Sequence, residues 1–80
     1  MPDLNTLAHL PVGSGAVISG MPTGHLGLTR LREMGLVPGA KVEMVRRAPF
    51  GEPLEVRVRG SNIAMRRTEA ACIQVSHCRG

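Results

Sequence analysis

The sequence predicts a mainly β domain, a small antiparallel barrel of about five strands with one short inserted helix. Three observations predict it. Short β-prone segments recur at close spacing, with glycine- and proline-containing turns between them. Residues 54–59, LEVRVR, alternate apolar and charged with a period of two. Leu28, Leu31 and Met34 recur every third residue, which is the spacing of one side of a helix.

One domain over residues 1–80 is expected, with its core at about 7–75 and flexible ends at 1–6 and 76–80. Leu4, Leu7, Ala8 and Leu10 suit one loose turn and an extended piece. Pro11-Val12-Gly13 signals a turn, and Ala16-Val17-Ile18 a first strand. Residues 19–27, SGMPTGHLG, hold three glycines and a proline and read as a loop. The helix is expected over 28–34, with Arg30, Arg32 and Glu33 mostly on its other side. Gly35 suits a left-handed stop, and Pro38-Gly39 a turn. A second strand follows at 41–47, with Val42 and Met44 on one face and Val45 on the other. Residues 48–53, with two prolines, interrupt it. In the third strand Leu54, Val56 and Val58 point inward, and Glu55, Arg57 and Arg59 outward. Gly60-Ser61 makes a tight connection to a fourth strand at 62–66, with Ile63 and Met65 inward. Thr68 is expected to cap a single turn through Glu69-Ala70-Ala71. Ile73 and Val75 begin a last short strand, and 77–80 read as frayed.

The chain holds 80 residues and one aromatic, Phe50, so the core must be aliphatic. The net charge is +4, and nine of the ten basic residues are arginine. That balance permits an anionic partner without requiring one. No apolar run approaches the ~20 residues of a membrane span. The N-terminus lacks the basic and apolar regions of a signal peptide. Cys72 and Cys78 do not form a secreted disulfide framework, so a cytoplasmic location is expected.

Three blocks, taken in order, resemble a known family. They are R-L-x-x-M-G-L-x-P-G-x-x-V, then R-x-A-P-x-G-x-P-L, then A-x-R-x-x-E-A. Together they look like ferrous iron transport protein A (FeoA), over roughly residues 7–75. The resemblance implies an SH3-like barrel with an inserted helix. It also implies a cytosolic accessory role in bacterial ferrous iron uptake, with FeoB, the permease carrying a GTP-binding cytosolic domain, as partner. A similar domain ends DtxR-type metal-dependent repressors, but no helix-turn-helix precedes it here. Ala64-Met65-Arg66 stands where the family usually reads A-L-R, a near-isosteric core swap.

Enzyme chemistry is not expected. The acidic residues Asp3, Glu33, Glu43, Glu52, Glu55 and Glu69 are scattered, and no Gly-x-Ser-x-Gly occurs. The glycines of 20–27 are not followed by Gly-Lys-Ser/Thr, so they form no P-loop, and no cofactor site is expected. Cys72, His77 and Cys78 offer three soft metal ligands, without the paired hook or fourth ligand of a closed site. A packed cysteine and a solvent histidine is the plainer reading.

The outward arginines Arg57 and Arg59, with Arg46-Arg47 and Arg66-Arg67, suit a solvated face, a protein-docking face or a phosphate stripe. Missing aromatic stacking platforms speak against nucleic acid and against a proline-rich ligand. Leu26, Leu28 and Leu36 flank the helix. Phe50, on a proline-bounded tip, is either a lid over the barrel end or an anchor for a partner, and the lid has the stronger rationale. The expected contact residues for the permease are Leu28, Arg30, Leu31, Arg32 and Phe50. The alternatives are a transition-metal sensor or carrier using Cys72, His77 and Cys78, and a small nucleic-acid-binding barrel. No residue pattern specifies an oligomeric state.

Overall fold

A computed structural model describes residues 5–22, 24 and 26–77. A 3₁₀ turn over Leu7–His9 leads to strand β1 (Gly15–Gly20) and helix α1 (Leu26–Glu33). Strands β2 (Lys41–Arg47), β3 (Leu54–Val58) and β4 (Ser61–Met65) follow, then helix α2 (Arg67–Ala70) and β5 (Gln74–His77). The five strands form one sheet in the order β4-β3-β2-β1-β5. Every neighbouring pair is antiparallel.

The period-two reading holds at each strand. Ala16 and Ile18, Val42 and Met44, Leu54, Val56 and Val58, Ile63 and Met65, and Val75 are all buried. One sheet burying one face must curl around what it buries, and Leu7, Leu10, Leu28, Leu31, Leu36 and Ile73 complete that core. The expected closure is incomplete. Among the described residues β4 and β5 do not pair, so both remain sheet edges.

Helix α1 begins earlier than expected and β1 ends later. The anticipated loop at 19–27 therefore loses Ser19 and Gly20 to β1 and Leu26 and Gly27 to α1. The helix stops at a Schellman motif. The Leu36 N–H donates to the Leu31 carbonyl at 3.1 Å, and the Gly35 N–H to the Arg32 carbonyl at 3.1 Å. Gly35 takes φ of 112°, a conformation that costs glycine little. The motif corrects the expected apolar side of the helix. Met34 falls on the cap and is 46% exposed, while Leu36 folds back beside Leu31 and is buried.

The third strand is one residue shorter than expected. Arg59 and Gly60 form a two-residue hairpin turn, both with positive φ (53° and 81°), which matches type I′. Ser61 thus opens β4, and Arg66 leaves it. Thr68 does not cap α2 but lies inside it. The Glu69 side chain instead accepts the Arg66 backbone N–H at 2.9 Å. Asn5, Thr6, Ser76 and His77 belong to the expected loose ends, yet all four join the sheet. Thr6 bridges Gln74, the Val75 N–H donates to the Asn5 carbonyl at 2.9 Å, and Ser76 and His77 pair with β1. Leu4 and the expected fraying at 78–80 lie outside the described residues.

Candidate docking surface

Two of the five expected contact residues are buried in the core. Leu28 and Leu31 are 1% and 0% exposed, because the period that marks them as a stripe also turns that stripe into the core. Leu36, folded back beside Leu31 by the Schellman motif, is buried too. Arg30 and Arg32 lie on the opposite side, as expected. The Arg32 guanidinium donates to the Pro22 carbonyl at 3.0 Å, which ties α1 to the loop before it. Arg30 stays half-exposed, 3.7 Å from the Glu69 carboxylate and 3.8 Å from the Met34 sulfur.

Phe50 is 96% exposed, which overturns the lid reading. Leu54 and Met65, paired across β3 and β4, are almost fully buried without it. Residues 48–53 form a closed loop, with the Ala48 N–H donating to the Pro53 carbonyl (3.2 Å) and the Gly51 N–H to the Ala48 carbonyl (2.8 Å). A third bond fixes the loop on the body. The Arg67 backbone N–H donates to the Glu52 carboxylate at 3.2 Å. Glu52 and Glu69 thus satisfy two of the orphan N–H groups at the start of α2.

These bonds bring α1, α2 and the loop together on one face. A cleft of about 350 Å³ is lined by Arg30, Pro53, Ala64, Met65, Arg66 and Glu69. The exposed Phe50 lies on the same loop as Pro53, and the Arg67 guanidinium lies beside Gly51. The sequence reading weighed Arg66 as a docking arginine but missed Glu52 and Glu69 as parts of this face. The spacing of Glu69 three residues after Arg66, as in a capping box, was the available signal.

The arginines divide by partner. Arg47 is half-buried and donates to the carbonyls of Ala8 (2.7 Å) and Leu10 (2.8 Å), so it serves the fold. Arg57 pairs with Glu43 across the sheet at 3.4 Å and reaches the Asn62 side chain at 3.3 Å. Arg47 and Arg57 are thus engaged in bonds within the domain.

Of the metal candidates, the structure describes Cys72 and the backbone of His77. Cys72 lies in the turn before β5, its Sγ 3.5 Å from the Thr68 carbonyl, and His77 ends that strand. Cys78 falls outside the described residues. Among those residues, no three His, Cys, Asp or Glu side chains gather as a metal site. No described helix is long and apolar enough to cross a membrane.

Residues 5–77 match the FeoA domain family model. The chain is 35% identical over 69 residues to an Fe(2+) transport protein A/Fe(2+) transporter FeoB fusion protein of Porphyromonas gingivalis. That match covers 86% of this chain and 8% of the relative, so the chain spans a small part of it. The solution structure of the Chlorobium tepidum FeoA protein is similar, with a TM-score of 0.86 and 37% identity over 94% of this chain and 71% of that one. The crystal structure of Stenotrophomonas maltophilia FeoA, an SH3 domain protein complexed with zinc, matches with a TM-score of 0.76 and 39% identity. It covers 89% of this chain and 88% of the other.

Proposed function

Because this chain belongs to the FeoA domain family of ferrous iron transport, we propose that it is a non-enzymatic cytoplasmic module that docks on an FeoB-type permease. The observation that carries the partner is the P. gingivalis relative, where the similar segment shares one polypeptide with an FeoB transporter. Covalent linkage holds two modules at a high effective concentration, and such fusions favour modules that work in contact. The face around Phe50, Arg30 and Arg66 is the surface that the geometry favours for that contact. A large exposed aromatic beside half-exposed arginines has the composition of an interface anchor. Arg32 contributes by holding the loop at Pro22 rather than by direct contact.

Docking regulates transport only through different affinities for two states of the permease. The test is binding of this chain to the purified cytosolic domain of the cognate permease, with GDP and with a GTP analogue, metal chelated. Nucleotide-dependent binding that weakens with Phe50→Ala and Arg30→Glu is the expected result. Equal binding by both variants and the parent would remove this face from the model.

A metal-carrier role is the second reading, motivated by the zinc in the S. maltophilia structure. It would use Cys72, with His77 and Cys78 supplied by a rearranged end of β5. Equilibrium dialysis against zinc and ferrous iron under reducing conditions decides it, and absence of stoichiometric binding removes it.

A further inference from the structure

The two edges of the sheet are treated differently. On β5 the edge is covered: Asn5 and Thr6 lie along it, through the Val75 N–H to Asn5 carbonyl bond and the Thr6–Gln74 bridge. On β4 no described segment does this. Natural edge strands are usually blunted by charge, proline or a bulge. Residues 61–65, Ser-Asn-Ile-Ala-Met, carry no charge and no proline, and all five pair with β3 without a register shift. The β2–β3 and β1–β5 ladders do shift, at Met44/Arg46 and at Ile18/Gly20.

The two-residue turn settles which groups face outward. It closes on the pair Val58–Ser61, so Ser61, Ile63 and Met65 exchange hydrogen bonds with β3. The N–H and C=O groups of Asn62 and Ala64 then point away from the sheet. Ala64 is exposed and lines the 350 Å³ cleft, so a chain has room to approach there.

We propose that β4 is a strand-addition site for an extended peptide segment with acidic residues at its ends. The charge around the edge selects this occupant. Arg59 precedes β4, and Arg66 and Arg67 follow it. A second copy paired antiparallel about Ile63 would set Arg59 against Arg67, and a parallel copy would set Arg59 against Arg59. Like charges directly opposite are destabilising, whereas glutamates there are attracted. Main-chain hydrogen bonds to Asn62 and Ala64 supply affinity, and the flanking arginines supply selectivity. The inference rests on reading this face as a docking surface, and it holds whichever protein supplies the strand.

The probe is a synthetic peptide alternating Thr and Val, with a glutamate at each end and the length of the Arg59–Arg67 span. It is titrated into the ¹⁵N-labelled full chain and read by amide shifts and hydrogen exchange. Saturable shifts centred on Asn62 and Ala64, with slowed exchange there, are expected. A lysine-ended control should bind at least about tenfold more weakly, since like charge opposes it. Ala64→Pro removes an outward N–H that the ladder does not use and should abolish binding. The double change Arg59→Glu/Arg66→Glu, outside the ladder, should reverse the preference toward the lysine-ended peptide. No saturation at millimolar peptide, shifts centred elsewhere or an unreversed preference would each overturn the proposal. So would a dimer of the chain that Ala64→Pro dissolves. The permease is absent from this assay, so a negative result removes the strand-addition mode and leaves permease docking to its own test.

Discussion

Helix α1 and the 48–53 loop both carry large apolar residues that stand out in the sequence, and the structure uses them in opposite ways. Leu28 and Leu31 of α1 are buried, and Phe50 of the loop is almost fully exposed. The difference is one of support. The helix is amphipathic and must bury one side to be stable at only eight residues, since isolated helices of that length are marginal. The loop needs no such burial, because backbone bonds and the Glu52 carboxylate already hold it. Apolarity alone thus does not separate a core residue from an anchor. The same holds for arginine, with Arg47 holding the fold and Arg30 facing solvent.

The contrast is sharpest in stability. Leu31→Ala should destabilise the domain by about 2–5 kcal/mol, the range for a buried Leu truncated in a packed core. Chemical denaturation would show it as a lower midpoint with an unchanged slope. A loss below about 0.5 kcal/mol, typical of surface changes, would break the distinction between the two regions.

Arg47→Ala comes next. It leaves two carbonyls without their charged donor, at about 1–3 kcal/mol. Arg47→Lys should recover only part of this, because one ammonium replaces a fork that reaches both carbonyls. Equal stabilities of the alanine and lysine variants would deny Arg47 its structural role.

A smaller effect links α1 to the docking face. A Cβ at Gly27 would meet a Glu69 carboxylate oxygen at 2.6 Å. Gly27→Ala should therefore displace Glu69 and cost about 0.5–1 kcal/mol, the scale of a lost cap. In a Glu69→Ala background the clash is gone and the same change should become neutral or stabilising, as alanine favours a helix. A double-mutant cycle reads this directly, and additive effects would show that Gly27 and Glu69 do not touch.

Phe50→Ala should have the smallest effect on stability, within about 0.5 kcal/mol. Its effect on docking should be large, about thirtyfold in affinity if Phe50 acts as a hot spot worth about 2 kcal/mol. Thermal denaturation and the permease-binding assay separate the two. A large drop in stability would return Phe50 to the core.

The fold was legible because its signals are local. The alternation in residues 54–59, the stop at Gly35 and the turn at Pro38-Gly39 depend on side-chain period and backbone freedom, which sequence displays. The family blocks added the SH3-like architecture and the iron-transport association. What tertiary structure decided were matters of position. Leu36 replaces Met34 in the core because a Schellman stop folds the chain back by one residue. Phe50 faces solvent on a loop that its own backbone bonds and the Glu52 carboxylate already hold. Cys72 and His77 are near in sequence, but Cys72 lies in the turn before β5 and His77 at the strand's far end. The sequence determined which residues are apolar and which charged, and so which strands and helix form. Which of them reach the surface depended on how the elements pack, because burial is a property of neighbours that no single stretch of chain contains.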